Sequence, residues 1–354
     1  MKSRWSSSDN TELVRQGRAW RRVCLFTDQG MAKMTNQSAG QDKWSKWLLE
    51  TRVHGSVPGR NGKEELDGLI RLRDKLLERA YVREGMTLLD VGAGDGLIAF
   101  GALEKLGPTG KVILSDISEP LLEHARGAAG QMDALGQSSF VKAGAEDLSA
   151  IPDESVDVVT TRSVLIYVDD KARALREFYR VLKPGGRIAL FETVSGVLAK
   201  LYRPNQKWTG LGGAVFPCEA LEAISDLVAR YTEQLGRARQ AAASLGQADH
   251  FDYLRLCEDT GFTAIEVELH LYSHKPKVKI ERLLGQSLNP HFPTPAEHME
   301  KIFSPEERQR FIDHMRPLFD QGVGTTRTAG VYVWAHKPPL PPESLKPAGK
   351  ATPI

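Results

Sequence analysis

Apolar and polar positions along this chain follow two periods, and the places where one gives way to the other mark its elements. Trp44, Trp47 and Leu48 fall at i, i+3 and i+4, so a helical stretch with one apolar face begins near Lys43. Pro58, Gly59, Asn61 and Gly62 then make a loop. From Glu64 to Ala80, Leu66, Leu69, Ile70, Leu72, Leu76 and Leu77 form the stripe of an amphipathic helix. Met86 to Val91 is a short apolar run and predicts a buried strand, followed after a glycine turn by a helix over Leu97 to Leu106. Further strands are predicted at Lys111 to Asp116, Ser139 to Ala143, Val156 to Thr161 and Arg187 to Thr193. Between them lie a helix with Pro120 near its start, running to about Leu135, and one over Lys171 to Leu182. Lys183-Pro184-Gly185-Gly186 is the stop signal of the latter. Strands and helices on this rhythm predict a parallel sheet covered on both faces.

After Thr193 the rhythm changes. Glu219 to Leu245 reads as helical, as does Phe251 to Thr260, which Gly261 ends. Two more strands alternate: Phe262 to Tyr272 through Ile265, Val267, Leu269 and Leu271, and Thr328 to His336 through Ala329, Val331, Val333 and Ala335. Connections are commonly ~4–6 residues, so the roughly fifty between these strands, with a helix at Pro305 to Phe319, suit a lid or pocket element. The expected fold is α/β: a doubly wound, mostly parallel seven-stranded sheet with a helical N-terminal extension and helical cap insertions. The expected organisation is a disordered or upstream-extended tail (1–40), a helical lid segment (41–85), a binding core (86–194), a substrate cap with the last two strands (195–337), and a Pro-rich disordered tail (338–354). Met31 and Met34 are alternative starts, and the first forty residues lack the apolar stretch of a signal peptide.

The glycine turn carries the most chemistry. Leu88 to Gly96 reads Leu-Leu-Asp-Val-Gly-Ala-Gly-Asp-Gly. Strand, glycine turn and helix make the nucleotide-binding corner of a doubly wound sheet, where no Cβ blocks a ligand. The dinucleotide fingerprint needs a third glycine at the position of Leu97, whereas here it is Gly96. Carboxylates at Asp90 and Asp95 repel a diphosphate but tolerate a ligand with a sulfonium and an ammonium group. The turn therefore fits S-adenosylmethionine better than NAD.

Composition adds few constraints. The chain has 354 residues and a formal net charge of +2, which supplies no electrostatic case for nucleic acid or an anionic membrane surface. No apolar run reaches the ~18 residues of a spanning helix. Cys24, Cys218 and Cys257 are far apart, which suits a reducing cytoplasm and offers no disulfide framework or metal site.

Taken together the motifs resemble the class I, Rossmann-like S-adenosylmethionine-dependent methyltransferases, and within them the small-molecule branch that includes the ubiquinone/menaquinone C-methyltransferases. Leu88 to Gly96 matches the first motif of that class, and Asp116 the acidic end of its second strand. Ala145-Glu146-Asp147-Leu148, Pro152 and Ser155-Val156-Asp157-Val158-Val159 match the motif around the fourth strand, and Leu182 to Gly186 the next. The resemblance implies that backbone amides of Gly92, Ala93, Gly94 and Gly96 approach the methionine moiety, and that Asp90 accepts from its ammonium group. It implies that Asp116 accepts the ribose hydroxyls, Ile117 packs on the adenine, and Ala145 offers backbone groups to the adenine edge. Arg162 and Ser163 would form the floor. One departure is Gly144, where the family usually has an acidic residue for the adenine amino group; Glu146 or Asp147 substitutes, or that contact is backbone only.

The implied reaction moves a methyl group from S-adenosylmethionine to an O, N or C atom of a small organic acceptor, by in-line displacement in a capped pocket. Tyr167, just past the fourth strand, is the catalytic candidate, or else a packed aromatic. Trp44, Arg52 and His54 before the core, and Tyr202, Arg203 and Trp208 after the fifth strand, are candidates for the acceptor pocket. The tryptophans either close the site or pad the core. His124 reads as a solvated surface group, and His250, His270, His274, His291 and His298 as structural groups of the cap. A monomer or homodimer is expected. The rival readings are a macromolecule methyltransferase, an NAD-dependent oxidoreductase and a silent ligand-binding relative.

Overall fold

The computed structural model describes residues 42–49, 62–194, 196–241, 248–276, 278–285, 287, 290 and 292–340. Its centre is a sheet in which β1 (Thr87–Val91), β2 (Lys111–Asp116), β3 (Ser138–Lys142), β4 (Val156–Arg162) and β5 (Leu182–Thr193) are mutually parallel, in the order β3-β2-β1-β4-β5. The order reverses direction at β1, so the crevice at the carboxyl ends of β1 and β4 is the topological switch point where such sheets take ligands. The α/β doubly wound class expected from the periodicity is the one observed.

Helix α1 (Lys43–Lys46) is capped by the carboxylate of Asp42, and α2 (Gly62–Arg79) packs Leu69, Ile70, Leu72, Leu76 and Leu77 of the expected stripe into the core beneath it. With α3 (Leu97–Leu106) and α4 (Glu119–Gln131) it covers one face; Leu76, Leu77, Leu88, Leu106 and Leu114 are fully enclosed there. Truncating one such leucine to alanine costs ~2–5 kcal/mol, transfer and cavity together. Pro120 occupies the first turn of α4 and Ser118 caps it. On the other face, α5 (Lys171–Val181) packs Leu175 and Phe178 against Val159 and Leu190.

Beyond β5 the sheet holds more than expected. Among the described residues nine strands are present rather than seven. The extra pair is a hairpin, β6 (Gln206–Trp208) and β7 (Ala214–Pro217), of three and four residues, too short to show an alternation. Gly210, Gly212 and Gly213 take left-handed φ values of 73°, 55° and 73° in its turn. The two strands that were expected run longer, as β8 (Thr263–His274) and β9 (Thr325–His336), with β9 antiparallel to β5, β7 and β8. The Lys-Pro-Gly-Gly stop ends α5 as expected, but its residues already belong to β5, with a register shift between Val156 and Val158 on the neighbouring strand.

The remaining helices build the cap: α6 (Ser225–Ala241), α8 (Ile280–Leu284), α9 (Pro295–Ile302) and α10 (Pro305–Asp320), while α7 (His250–Thr260) packs on α5. Reciprocal capping boxes at Thr294 with Glu297 and at Ser304 with Glu307 start α9 and α10. Leu211, Phe216, Tyr231, Met299, Phe311 and Met315 give the cap an apolar core of its own.

Candidate active site

The glycine turn after β1 is a cradle that only glycine can make. Gly92 and Gly94 have φ values of 66° and 56°, and a Cβ at Gly92 would lie 2.3 Å from Val164 Cγ2. A Cβ at Gly94 would lie 3.0 Å from Leu48 Cδ2. Gly92, Ala93 and Gly94 line a cavity of about 770 Å³ at the carboxyl ends of the strands. Gly96 does not line it. It is the N-cap of α3, at φ 81°, and its missing Cβ makes room for Phe100. The Asp95 carboxylate turns to the start of the same helix and accepts from the Leu97 N–H, so it too is absent from the wall.

Two buried carboxylates stand on the wall. Asp90 accepts from the Ala99 N–H at 3.1 Å and from the Thr160 hydroxyl at 2.9 Å. Desolvation outweighs these bonds and the positive charge of Arg162, and pushes its pKa up to about 7. Asp116 accepts from the Gly94 N–H and the Ser118 N–H, both at 2.9 Å, so it braces the glycine turn from the next strand. Burial raises its pKa as well. The Ile117 backbone bonds Asp116 as well, which leaves about one of the roughly four lone-pair sites of that carboxylate for a ligand.

Ile117, half exposed, and Gly144, Ala145 and Glu146 form a neighbouring wall. A Cβ at Gly144 would meet Ile117 Cγ2 at 3.2 Å. Of the two carboxylates considered as substitutes there, Asp147 is exposed, accepts from Ser149 and does not line the cavity. Glu146 lines it, with one oxygen accepting the Asp170 N–H at 2.8 Å.

Arg162, Ser163, Val164, Ile166 and Tyr167 form the floor. Ser163 is held at φ 56°, its N–H donating to the Phe191 carbonyl at 2.7 Å. The following turn is fixed by a residue the sequence reading missed. Glu192, fully buried, accepts the N–H groups of Val164 and Leu165 at 3.0 Å and of Ile166 at 3.1 Å. Burial raises its pKa to about 7 in spite of those donors and the charge of Lys171. The available signal was a lone acid in the apolar run Leu190-Phe191-Glu192-Thr193, since a buried carboxylate needs partners.

Residues before the core close the cavity. Trp44 meets Tyr167 edge to face with centroids 5.0 Å apart, and Leu48 and Leu49 pack on Leu121. Trp44, Trp47 and Leu48 all line the cavity, so these aromatics both pack and face it. From the cap come Tyr231, Leu235, Arg282, Leu283, Phe292 and His298, and from the end of β5 Thr193.

Several expected pocket residues lie elsewhere. Tyr202 is exposed and Trp208 belongs to β6, paired with Val215; neither lines the cavity, because the chain turns into the hairpin there instead of following the pocket. Arg203 is likewise exposed and off the wall. Arg52, His54 and His291 lie outside the described residues. His124 is half-buried rather than solvated, and burial lowers its pKa against the charge of Asp95. His298, expected to be structural, is 8% exposed and reaches the cavity wall.

With this geometry in place, comparison with known proteins is specific. A profile of the ubiE/COQ5 methyltransferase family matches residues 69–270. The ubiquinone/menaquinone biosynthesis C-methyltransferase UbiE of Escherichia coli O1:K1 / APEC is 32% identical over 186 residues, covering 52% of this chain and 69% of that protein. Among solved structures, YcgJ of Bacillus subtilis matches with a TM-score of 0.48 and 19% identity, over 75% of this chain and 97% of that one. Phosphoethanolamine N-methyltransferase 2 of Haemonchus contortus, solved with phosphomonomethylethanolamine and S-adenosylhomocysteine, matches with a TM-score of 0.46 and 15% identity, over 84% of this chain and 61% of that one.

Proposed function

Because this chain belongs to the ubiE/COQ5 methyltransferase family, and is thus a methyltransferase that uses S-adenosylmethionine on a small-molecule acceptor, we propose that donor and acceptor meet in the 770 Å³ cavity at the switch point of its sheet. The observation that carries this reading is the cradle: Gly92 and Gly94 leave backbone open to the cavity, with buried Asp90 and Asp116 on either side. The donor supplies an activated methyl group when bound.

In this reading the backbone of Gly92, Ala93 and Gly94 lies along the methionine part of the donor. Asp90 answers its ammonium group, and Asp116, held in place by the Gly94 and Ser118 N–H groups, its ribose hydroxyls. Ile117 covers the adenine and Ala145 presents backbone to its edge; Gly144 leaves no carboxylate at that position. Arg162, Ser163 and Tyr167 border the transfer point, and Trp44, Trp47 and Leu48 exclude water above it. Gly96 belongs to the helix cap rather than to these contacts.

The acceptor faces Leu235, Leu283, Phe292, Pro293 and Pro295, which suits an apolar small molecule. The E. coli relative is a C-methyltransferase of ubiquinone and menaquinone biosynthesis; whether carbon, oxygen or nitrogen is methylated here follows from the acceptor. The free thiols of Cys218 and Cys257 suit the cytoplasm, and a monomer or homodimer is the working assembly.

Calorimetric titration with S-adenosylhomocysteine tests the donor site. The expected result is one site per chain, weakened at least tenfold by Asp116→Ala. An absence of binding to the unaltered chain would overturn the reading.

A further inference from the structure

Strand β8 is 12 residues long and lies at the rim of the sheet. Among the described strands it pairs with β9 alone, and none of its backbone groups bonds the backbone of another described segment. Its outer row of N–H and C=O groups is therefore a template for a further strand. Proteins guard such an edge with bulges, prolines and lysines. β8 has these only at its ends. Its register with β9 shifts between Thr263 and Glu266, with Ala264 at φ 47°, and Lys275-Pro276 follows the strand. From Glu266 to His274 the register is unbroken, and the run Glu-Val-Glu-Leu-His-Leu-Tyr-Ser-His contains no Pro, Gly or Lys. Its two acids are answered from α2: Arg79 lies 3.1 Å from Glu266, and Lys75 pairs with Glu268. Leu271 and Tyr272 stay 48% and 54% exposed. The middle of the strand is thus neither blocked nor strongly charged.

The order of residues along the strand says what pairs with it. Alternation puts Glu266, Glu268, His270 and Tyr272 on one face, and Val267, Leu269 and Leu271 on the other. The acids lie in the first half, the imidazoles and the phenol in the second. An antiparallel copy turned about Leu269 lays Glu268 against His270 of the second copy, Glu266 against Tyr272, and Val267 against Leu271, each contact made twice. Turned about Glu268, that residue would oppose itself; turned about Val267, Glu266 would oppose Glu268. A parallel copy in register would set every acid against its twin. Like charges directly opposite are destabilising, while each matched pair contributes ~0.2–1 kcal/mol. The strand is self-complementary about Leu269, as a closed two-fold contact requires.

We propose that the chain forms a two-fold dimer in which β8 pairs antiparallel with β8 of a second copy, centred on Leu269, so that the two sheets run on as one. This does not depend on the reading of the cavity. No β8 residue lines that cavity, so each active site stays built from its own chain.

Sedimentation equilibrium of the full chain at tens of micromolar is expected to give twice the mass of one chain. Leu271→Glu, at a half-exposed position, sets a carboxylate against Val267 in both halves of the contact. It is expected to weaken the dimer ~10-fold or more while the far-ultraviolet circular dichroism of the folded chain is kept. The register is read separately. Oxidised Glu266→Cys/Tyr272→Cys is expected to link position 266 of one copy to position 272 of the other, seen by mass spectrometry of the bridged peptides. Within one strand these positions are ~20 Å apart, too far for a disulfide. Glu266→Cys alone is expected to give no link between the two positions 266. A monomeric unaltered chain, a dimer that Leu271→Glu leaves as tight as before, or an absence of the 266–272 bridge overturns the proposal. A monomer that still binds S-adenosylhomocysteine leaves the reading of the cavity standing, so the two failures are told apart.

Discussion

The indole N–H of Trp47 donates to the carbonyl oxygen of Ser287 at 3.1 Å, joining residues 240 positions apart. This bond ties the segment before the core to the cap, across the mouth of the cavity that both line. Leu48 lies over Gly94, and Trp44 over Tyr167, so the tie holds a cover whose underside is apolar.

Trp47→Phe keeps the apolar cover and deletes the tie. A single hydrogen bond is worth ~1 kcal/mol, so the expected result is about fivefold faster release of S-adenosylhomocysteine with the association rate little changed. Surface plasmon resonance on the immobilised chain reads both rates. An unchanged release rate would mean that the tie does not hold the site closed.

Glu192 couples the wall of the cavity to pH. Its pKa is raised from 4.5 to about 7, so the folded chain holds a proton that the unfolded chain has released. The stability from that proton is complete below about pH 4.5 and is lost as pH rises through about 7. Denaturant midpoints of the unaltered chain should therefore fall between about pH 5 and pH 8, by on the order of 3 kcal/mol in unfolding free energy from this group. Glu192→Gln should flatten that part of the profile. It should also slow turnover, because its amide NH₂ faces one of the N–H donors of Val164, Leu165 and Ile166.

The halves of the molecule were unequally legible in the sequence. The parallel strands, the helices α2 to α5 and the glycine turn announce themselves, because burial on both faces demands continuous apolar runs, and turns with positive φ demand glycine. Asp90, Asp116, Ala145, Arg162 and Tyr167 could be placed on one cavity from the strand pattern together with the family resemblance. The hairpin β6–β7 could not be seen, since three and four residues carry no period. Tyr202 and Trp208 misled for that reason: proximity in sequence to β5 suggested proximity to its carboxyl end, and the hairpin carries them off. The place of His298 on the cavity wall was not legible, because its environment is assembled from α6 and α9, which lie far apart in the chain, in a cap with its own core. Glu192 was hidden because its partners are backbone amides, which leave no mark in a sequence.

Gly92→Ala should fail on two counts. The backbone stands at φ 66°, and the new Cβ would lie 2.3 Å from Val164 Cγ2. Strain and overpacking together should cost ~2–4 kcal/mol of stability, seen as a lower denaturant midpoint. Val164 also lines the cavity, so affinity for S-adenosylhomocysteine should fall at least tenfold. Adding Val164→Ala removes the clash but not the strained φ, and should restore about half of the loss. Strictly additive effects of the two substitutions would show that the contact is not the cause.

Asp90 makes donor affinity itself depend on pH. Its pKa of about 7 in the free chain means that half of the molecules carry a neutral carboxyl there. A cationic donor binds the ionised form better, so binding should lower that pKa and release a proton. Affinity for S-adenosylmethionine should therefore rise with pH through about 7, and fall up to tenfold for each unit below it, until the bound form also protonates. Calorimetry in two buffers of different ionisation enthalpy counts the proton released near pH 7. Asp90→Asn removes both the charge and the titration: affinity should be lower at pH 8, nearly flat between pH 6 and pH 8, and accompanied by no proton release. A variant that kept the slope of the unaltered chain would move the titrating group elsewhere, with Asp116, whose pKa burial also raises, as the next carboxylate to replace.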